Sequence, residues 1–396
     1  SSSNGLEKRP KLRFPGFDEP WIVRKLSDIL SQRIEKQVPS KDAPLMAFTA
    51  EGGVEPKGER YDRSYLVKSE DKLYKRTEYN DFIYSSNNLD VGSIGLNKYG
   101  TAVISDVYEI FSVKSDCLPT FVSELIQRPQ NLAKILKYRQ GCLYGQYRIY
   151  AEDFLSVSVF VPAKQEQNEI AQFLDSIDKR IAHQHSLIEA LKKYKRGLLS
   201  QLIAQKKAFD TSGEWKTVKL GHIFKERTER AKGNEPLLAV TISSGVQRRD
   251  EIDLKDNSSD DKSNYKCVYI GDIAYNTMRM WQGASGVSPY NGIVSPAYTI
   301  VTPIRPDDHN MTFWAYYFKY SPLVQTFQKY SQGLTSDTWN LKFPQFSEIA
   351  VTMPPIYEQD KIAECLSAFD EHCKCEDEKL QALLQVRTSL LQQLFI

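Results

Sequence analysis

The sequence predicts an α+β protein: two similar globular domains separated by two long helices that pack as an antiparallel coiled coil, a pseudo-twofold internal repeat. Three observations carry this prediction. The chain repeats itself once, each copy mixes strand-like and helix-like runs, and each copy ends in a long helix with the same heptad seam.

The repeat sets the parsing. Trp21 to Ile29 (WIVRKLSDI) recurs as Trp215 to Ile223 (WKTVKLGHI), 194 residues on. Val161-Pro162 with Glu166-Gln167 recurs as Met353-Pro354 with Glu358-Gln359, 192 residues on. The same offset carries Ile170-Ala171 onto Ile362-Ala363, Asp178 onto Asp370 and Leu198-Leu199 onto Leu390-Leu391. Between these anchors Asp81 to Tyr84 matches Asp272 to Tyr275, Val103 and Tyr108 match Ile293 and Tyr298, and Gln140-Gly141 matches Gln332-Gly333. A period this long describes two domains and not a solenoid.

The first part of each copy is globular. From about Trp21 to Pro162, β-branched and aromatic runs alternate with turn residues. Tyr99 to Ile104 and the alternating Leu155 to Phe160 read as strands, and Phe121 to Tyr138 as short helices. The second part, about Lys164 to Gln205, holds no proline and one glycine and reads as a long helix. The expected boundaries are an N-terminal segment 1–20, domains 21–162 and 207–354, and helical segments 163–206 and 355–396. Ser1 to Gly5 is small and polar and reads as a cloning remnant or frayed end.

The seam of the first helix runs through Ile170, Leu174, Ile177, Ile181, Gln184, Ile188, Leu191, Lys195, Leu198 and Leu202, in alternating steps of four and three. The second repeats it through Ile362, Leu366, Phe369, Cys373, Glu376, Leu380, Leu383, Arg387, Leu390 and Leu394. Both seams turn polar at the same two layers. An antiparallel register that faces Leu191 with Leu380 sets Lys195 opposite Glu376 and Gln184 opposite Arg387, and these four residues are expected to fix register. A helix of ~38 residues is about 57 Å long at 1.5 Å per residue, a rigid ruler.

Composition excludes several functions. No stretch approaches ~18 apolar residues, so no membrane span is expected. Six cysteines in 396 residues make no disulfide framework, which points to a reducing cytoplasm. There is no G-x-G-x-x-G and no Walker A loop; Gly92 to Gly95 lacks either pattern. Met353 to Ile356 lacks the leading amide and following aromatic of an adenine-methylating motif and reads as a strand end. Cys365, His372, Cys373 and Cys375 lie in one helix, where positions 373 and 375 diverge by about 200°, so no metal site is expected. His183 and His185 read as solvent-facing. No catalytic residue is expected. The net charge of +2 is low for a protein held to DNA by charge alone, so basic residues must cluster or partners must contribute.

This order of parts resembles the specificity subunits (HsdS) of type I restriction–modification systems. The likeness rests on Pro10 to Phe17 followed by Trp21, the P-x-x-x-E-Q phrases at 162–167 and 354–359, Asp81 to Asn88, Gly100 to Ser105, and the helix ending Leu198 to Ile203. It covers essentially the whole chain. The resemblance implies a non-catalytic subunit whose target-recognition domains each read one half of a split site in double-stranded DNA. The helical pair would set the gap and dock two methyltransferase subunits, and restriction subunits would join. S-adenosylmethionine, ATP and Mg would belong to those partners, and this chain would bind no cofactor. A stand-alone pseudo-dimeric DNA-binding regulator and a coiled-coil scaffold without DNA are the alternatives.

Base reading calls for Arg or Lys toward guanine, Asn or Gln toward adenine, and further polar groups toward phosphate. In the first domain the candidates are Arg60, Arg63, Ser85, Asn87, Asn88, Lys98, Tyr99, Gln146 and Arg148. In the second they are Arg248, Arg249, Asn276, Arg279, Trp281, Gln282, Thr335, Ser336 and Asp337.

Overall fold

The computed structural model describes residues 9–50, 52–56, 72–87, 89, 93–143, 146–209, 213–231, 235–242, 244–252, 261–336 and 338–396. The chain forms two compact units, one of Ser1–Gln184 with Lys379–Ile396, the other of His185–Glu378. Each unit therefore owns one globular domain and half of each long helix. No helix among the described residues is long and apolar enough to cross a membrane.

In the first unit, strand Ile22–Lys25 pairs antiparallel with Ser158–Val161, closing the domain onto the start of the central helix. The main sheet is antiparallel, in the order Leu30–Gln32, Tyr108–Val113, Phe82–Ser85, Ile94–Leu96. Both of its faces are buried, and the period of two sorts them. Phe82, Tyr84 and Phe111 join Phe121, Leu125 and Phe154 of the helices Pro119–Ile126 and Ala151–Ser156. Ile83 and Ile110 face the other way, against Met46, Phe48 and Val54 of the hairpin Met46–Thr49/Gly53–Pro56. Helices Pro119–Ile126 and Pro129–Leu136 both open on proline, whose missing N–H costs nothing in a first turn.

The expected strand over Leu155 to Phe160 is corrected: Leu155 and Ser156 end the helix Ala151–Ser156, and only Ser158–Val161 is extended. The helix wins because Ala151 and Phe154, three apart, are both buried in the core.

The second unit repeats this plan. Its main sheet runs Phe224–Glu226, Tyr298–Pro303, Ile273–Asn276, Ser285–Val287. Ile273 and Tyr275 pack on Phe313, Trp314, Phe318 and Phe346, while Ala274 and Ile300 pack on Leu238, Val240 and Val246. The repeated phrases have repeated jobs. Asp81 accepts from Arg33 at 2.7 Å and from the Glu78 amide; Asp272 accepts from Arg227 at 2.7 Å and from the Tyr269 amide. Gln167 accepts from the Leu118 amide and donates to the Pro162 carbonyl, both at 3.0 Å; Gln359 does the same with Asn310 and Pro354. Each glutamine thus ties a long helix to the start of a domain helix.

The long helices span Lys164–Ile203 and Ile356–Leu394. Their halves run antiparallel within each unit. In the first, Ile170 and Leu174 share a cluster with Leu391 and Leu394, and Arg387 reaches Asp178 farther along. In the second, Leu199 and Leu202 share a cluster with Ile362 and Leu366, and Lys195 reaches Asp370 at 2.5 Å. None of the twenty predicted seam positions is exposed. Cys373 is buried on the seam, while Cys375, His183 and His185 are exposed.

The expected register is corrected. Lys195 pairs with Asp370, six positions before Glu376, and Arg387 with Asp178, six positions before Gln184. The seam has slid by about one heptad, which sets Lys195 toward Phe369 and Arg387 toward Ile177 in place of the polar partners expected. The cations on the seam avoid burial by reaching to flanking carboxylates beside Ile177 and Phe369. Lys195 also lies over the Tyr316 ring at 4.5 Å, and Tyr316 donates to Asp370 at 2.6 Å. Arg387 forks onto Asp178 (Nη2–Oδ2 3.0 Å) and Glu124 (2.8 Å). Glu376 is buried, with His372 Nε2 at 3.5 Å. Glu124 and Tyr316 are 192 apart, as are Asp178 and Asp370, and Lys195 and Arg387. One repeated triad therefore locks both halves of the helical pair.

Candidate nucleic-acid interface

In the first domain the end of strand Phe82–Ser85 meets a two-stranded ribbon, Gln140–Leu143 with Gln146–Arg148. Asn87 bridges Arg148 in antiparallel fashion, and the Ile149 amide donates to the Ser86 carbonyl at 2.9 Å. Ser85 Oγ donates to the Asn87 carbonyl at 2.9 Å, closing a tight turn. Tyr84 pins the ribbon from inside, its hydroxyl donating to the Ile149 carbonyl at 3.2 Å. Burial pushes that hydroxyl's pKa far up, so it stays a neutral donor.

This places Ser85, Asn87, Gln146 and Arg148 together. Arg148 is nearly half-exposed, lies over the Tyr150 ring at 4.9 Å, and has the buried Glu109 carboxylate 3.6 Å away. A carboxylate behind an arginine fixes the direction of its fork, which bidentate recognition requires. Arg139 lies over the Tyr147 ring at 5.3 Å, and Tyr147 and Tyr150 are both exposed. The surface thus alternates guanidinium and aromatic groups.

The second domain builds the same junction. The loop after strand Ile273–Asn276 meets a stem in which Gln332 and Asn340 exchange both backbone hydrogen bonds, at 3.0 and 2.8 Å. The Leu341 amide donates to the Thr277 carbonyl at 2.9 Å, matching the bond from Ile149 to Ser86. Asn276 Oδ1 accepts from the Met278 amide at 3.0 Å, and Trp281 Nε1 donates to the Met278 carbonyl at 3.0 Å. Trp281 meets Trp339 edge-to-face at 5.2 Å, which joins loop to stem. Asn276, Arg279, Trp281, Gln282, Thr335 and Ser336 therefore share one surface, with Arg279, Gln282, Thr335 and Ser336 exposed.

Other candidates stand apart. Lys98 and Tyr99 lie at the opposite end of strand Phe82–Ser85, in a turn that Asn97 Oδ1 closes by accepting from the Tyr99 and Gly100 amides. Lys98 donates to Asn80 at 3.1 Å. Arg248 ends a separate hairpin and Arg249 follows it, and Arg248 is bound to Asp250 at 2.9 Å. Arg60, Arg63, Asn88 and Asp337 lie outside the described residues. The sequence reading missed Arg139, Tyr147, Tyr150, Met278, Leu334 and Trp339. The repeat held the signal: Tyr147-Arg148 and Trp339-Asn340 stand 192 apart, each closing the segment that Gln140 or Gln332 opens.

A family profile described as Type I restriction modification DNA specificity domain matches residues 18–193 and again 212–385. The chain belongs to that family. Its fold is also that of solved specificity subunits. One is the S subunit of a type I restriction–modification system from M. genitalium, at 16% identity and a TM-score of 0.54, covering 98% of this chain and 99% of that one. Another is the HsdS subunit from Thermoanaerobacter tengcongensis, at 16% identity and 0.51, covering 100% and 99%. A third comes from work on complex assembly and conformational transition of the type I R-M system, at 14% identity and 0.58, covering 96% and 98%. The two matched stretches take in both globular domains and most of each long helix, and specificity subunits are non-catalytic.

Proposed function

We propose that each globular domain reads one half of a bipartite site in double-stranded DNA through its loop-and-ribbon junction, while the helical pair sets the spacing and docks two methyltransferase subunits. S-adenosylmethionine then belongs to the methyltransferase subunits, ATP with Mg to restriction subunits, and this chain binds none of them. The reading rests on one observation: the same junction is built twice, on two units of one fold, with different side chains at its tip. Arg148 and Arg279 stand at the two junctions as guanine or phosphate ligands.

The test is binding of the assembled complex to duplexes with one half-site scrambled. Arg148→Ala and Arg279→Ala should each cost about tenfold, within the ~1–3 kcal/mol of a base contact, and each only through its own half. Equal weakening of both halves by Arg279→Ala would make it a general clamp. Binding indifferent to salt would count against DNA as the ligand.

A further inference from the structure

Leu334 is wholly exposed, at 101% of its reference area, yet it is not on a loose loop. Its stem is fixed by the paired Gln332 and Asn340. Beyond it, Thr335 accepts from the Thr338 and Trp339 amides at 2.9 and 3.1 Å, and Thr338 Oγ1 accepts from the Thr335 amide at 3.1 Å. Gly333 has φ +138°, and a Cβ there would sit 2.5 Å from the Thr338 carbonyl, so the turn before Leu334 admits only glycine. The fold thus holds an apolar side chain out in water, where it stabilises nothing by itself. The Trp281–Trp339 contact ties this turn to the loop bearing Met278, which is also exposed. Thr335 and Ser336 follow Leu334 in its turn and Arg279 follows Met278 in its loop, with Gln282 farther along it; all four are exposed and polar.

Base edges in the major groove present hydrogen-bonding groups and one apolar group, the thymine 5-methyl. A fixed apolar tip on segments that also carry exposed polar groups fits that edge. Resting on the proposed DNA-reading role, we infer that Leu334 is a specificity-determining residue that packs on the 5-methyl group of a thymine in the half-site read by the second domain.

The probe is the duplex carrying the complex's own recognition sequence, with each thymine of both halves replaced in turn by uracil, which removes only the methyl. One position, in one half, should lose about fourfold in affinity, the worth of one buried methyl-sized group. In complexes carrying Leu334→Ala that loss should vanish, while Leu334→Met should retain it. Three results would overturn the inference: a half-site without thymine, uracil silent at every position, or a uracil penalty undiminished in Leu334→Ala. Equal weakening of thymine and uracil duplexes by Leu334→Ala would instead mark a wedge between base steps. Absence of any sequence-specific binding would sink the DNA-reading role itself, a distinct outcome.

Discussion

Cys117 and His309 occupy the same place in the repeat, one residue before Leu118 and Asn310, whose amides meet Gln167 and Gln359. The imidazole of His309 is buried, edge-on to Trp314 at 6.0 Å, and its Nδ1 has no hydrogen-bond partner. Burial holds its pKa below the ordinary value, with Asp308 acting weakly upward and Arg305 downward. Below about pH 6.5 the unfolded chain therefore binds more protons at this position than the folded one, and the second domain loses stability as pH falls. His309→Cys, the first domain's own solution, should flatten that fall. Thermal melting at about pH 7.5 and about pH 5.5 measures it, and an unchanged slope in the variant would contradict the assignment. Residue roles of this kind were partly legible. The Asp81 and Asp272 phrases were found by repetition, but their partners Arg33 and Arg227 were not. Ion pairs across 48 and 45 residues leave no local pattern.

At the scale of elements, the helices were the most legible part, because a heptad seam survives in one dimension. Their register was not legible. Sliding by one heptad sets each polar seam residue against an apolar one, and the groups that offset this cost lie off the seam: Asp178 and Asp370 beside it, Glu124 and Tyr316 on the domain helices Pro119–Ile126 and Met311–Tyr317. The repetition of Asp178 as Asp370 was visible in the sequence, without its meaning. Carbodiimide coupling of the intact chain should join Lys195 to Asp370, and a Lys195–Glu376 product would restore the rejected register. Asp178→Ala should destabilise by about 1–2 kcal/mol, since its partner is a forked, half-buried arginine, while Asp370→Ala should cost less than about 1 kcal/mol. The loop-and-ribbon junctions were only half legible. Their polar residues carry sequence signals, but Tyr147, Leu334 and Trp339 become surface groups only once the stems pair.

For the whole molecule, duplication is the organising fact, and it could be read from the Trp21 and Trp215 phrases and the matched seams alone. It gives two domains of one fold whose clamps and helix locks repeat position by position. The junctions repeat in backbone but not in the side chains at their tips: Tyr147-Arg148 stands where the other domain has Trp339-Asn340. Conserved frames with divergent tips predict two different half-sites at one fixed spacing. Mapping methylated adenines in DNA from cells carrying this chain with its methyltransferase tests that most directly. The expected result is one motif of two unlike specific halves around an unspecified gap of constant length, with Arg279→Ala relaxing one half alone. A single contiguous motif, a gap of varying length, or no motif at all would contradict it.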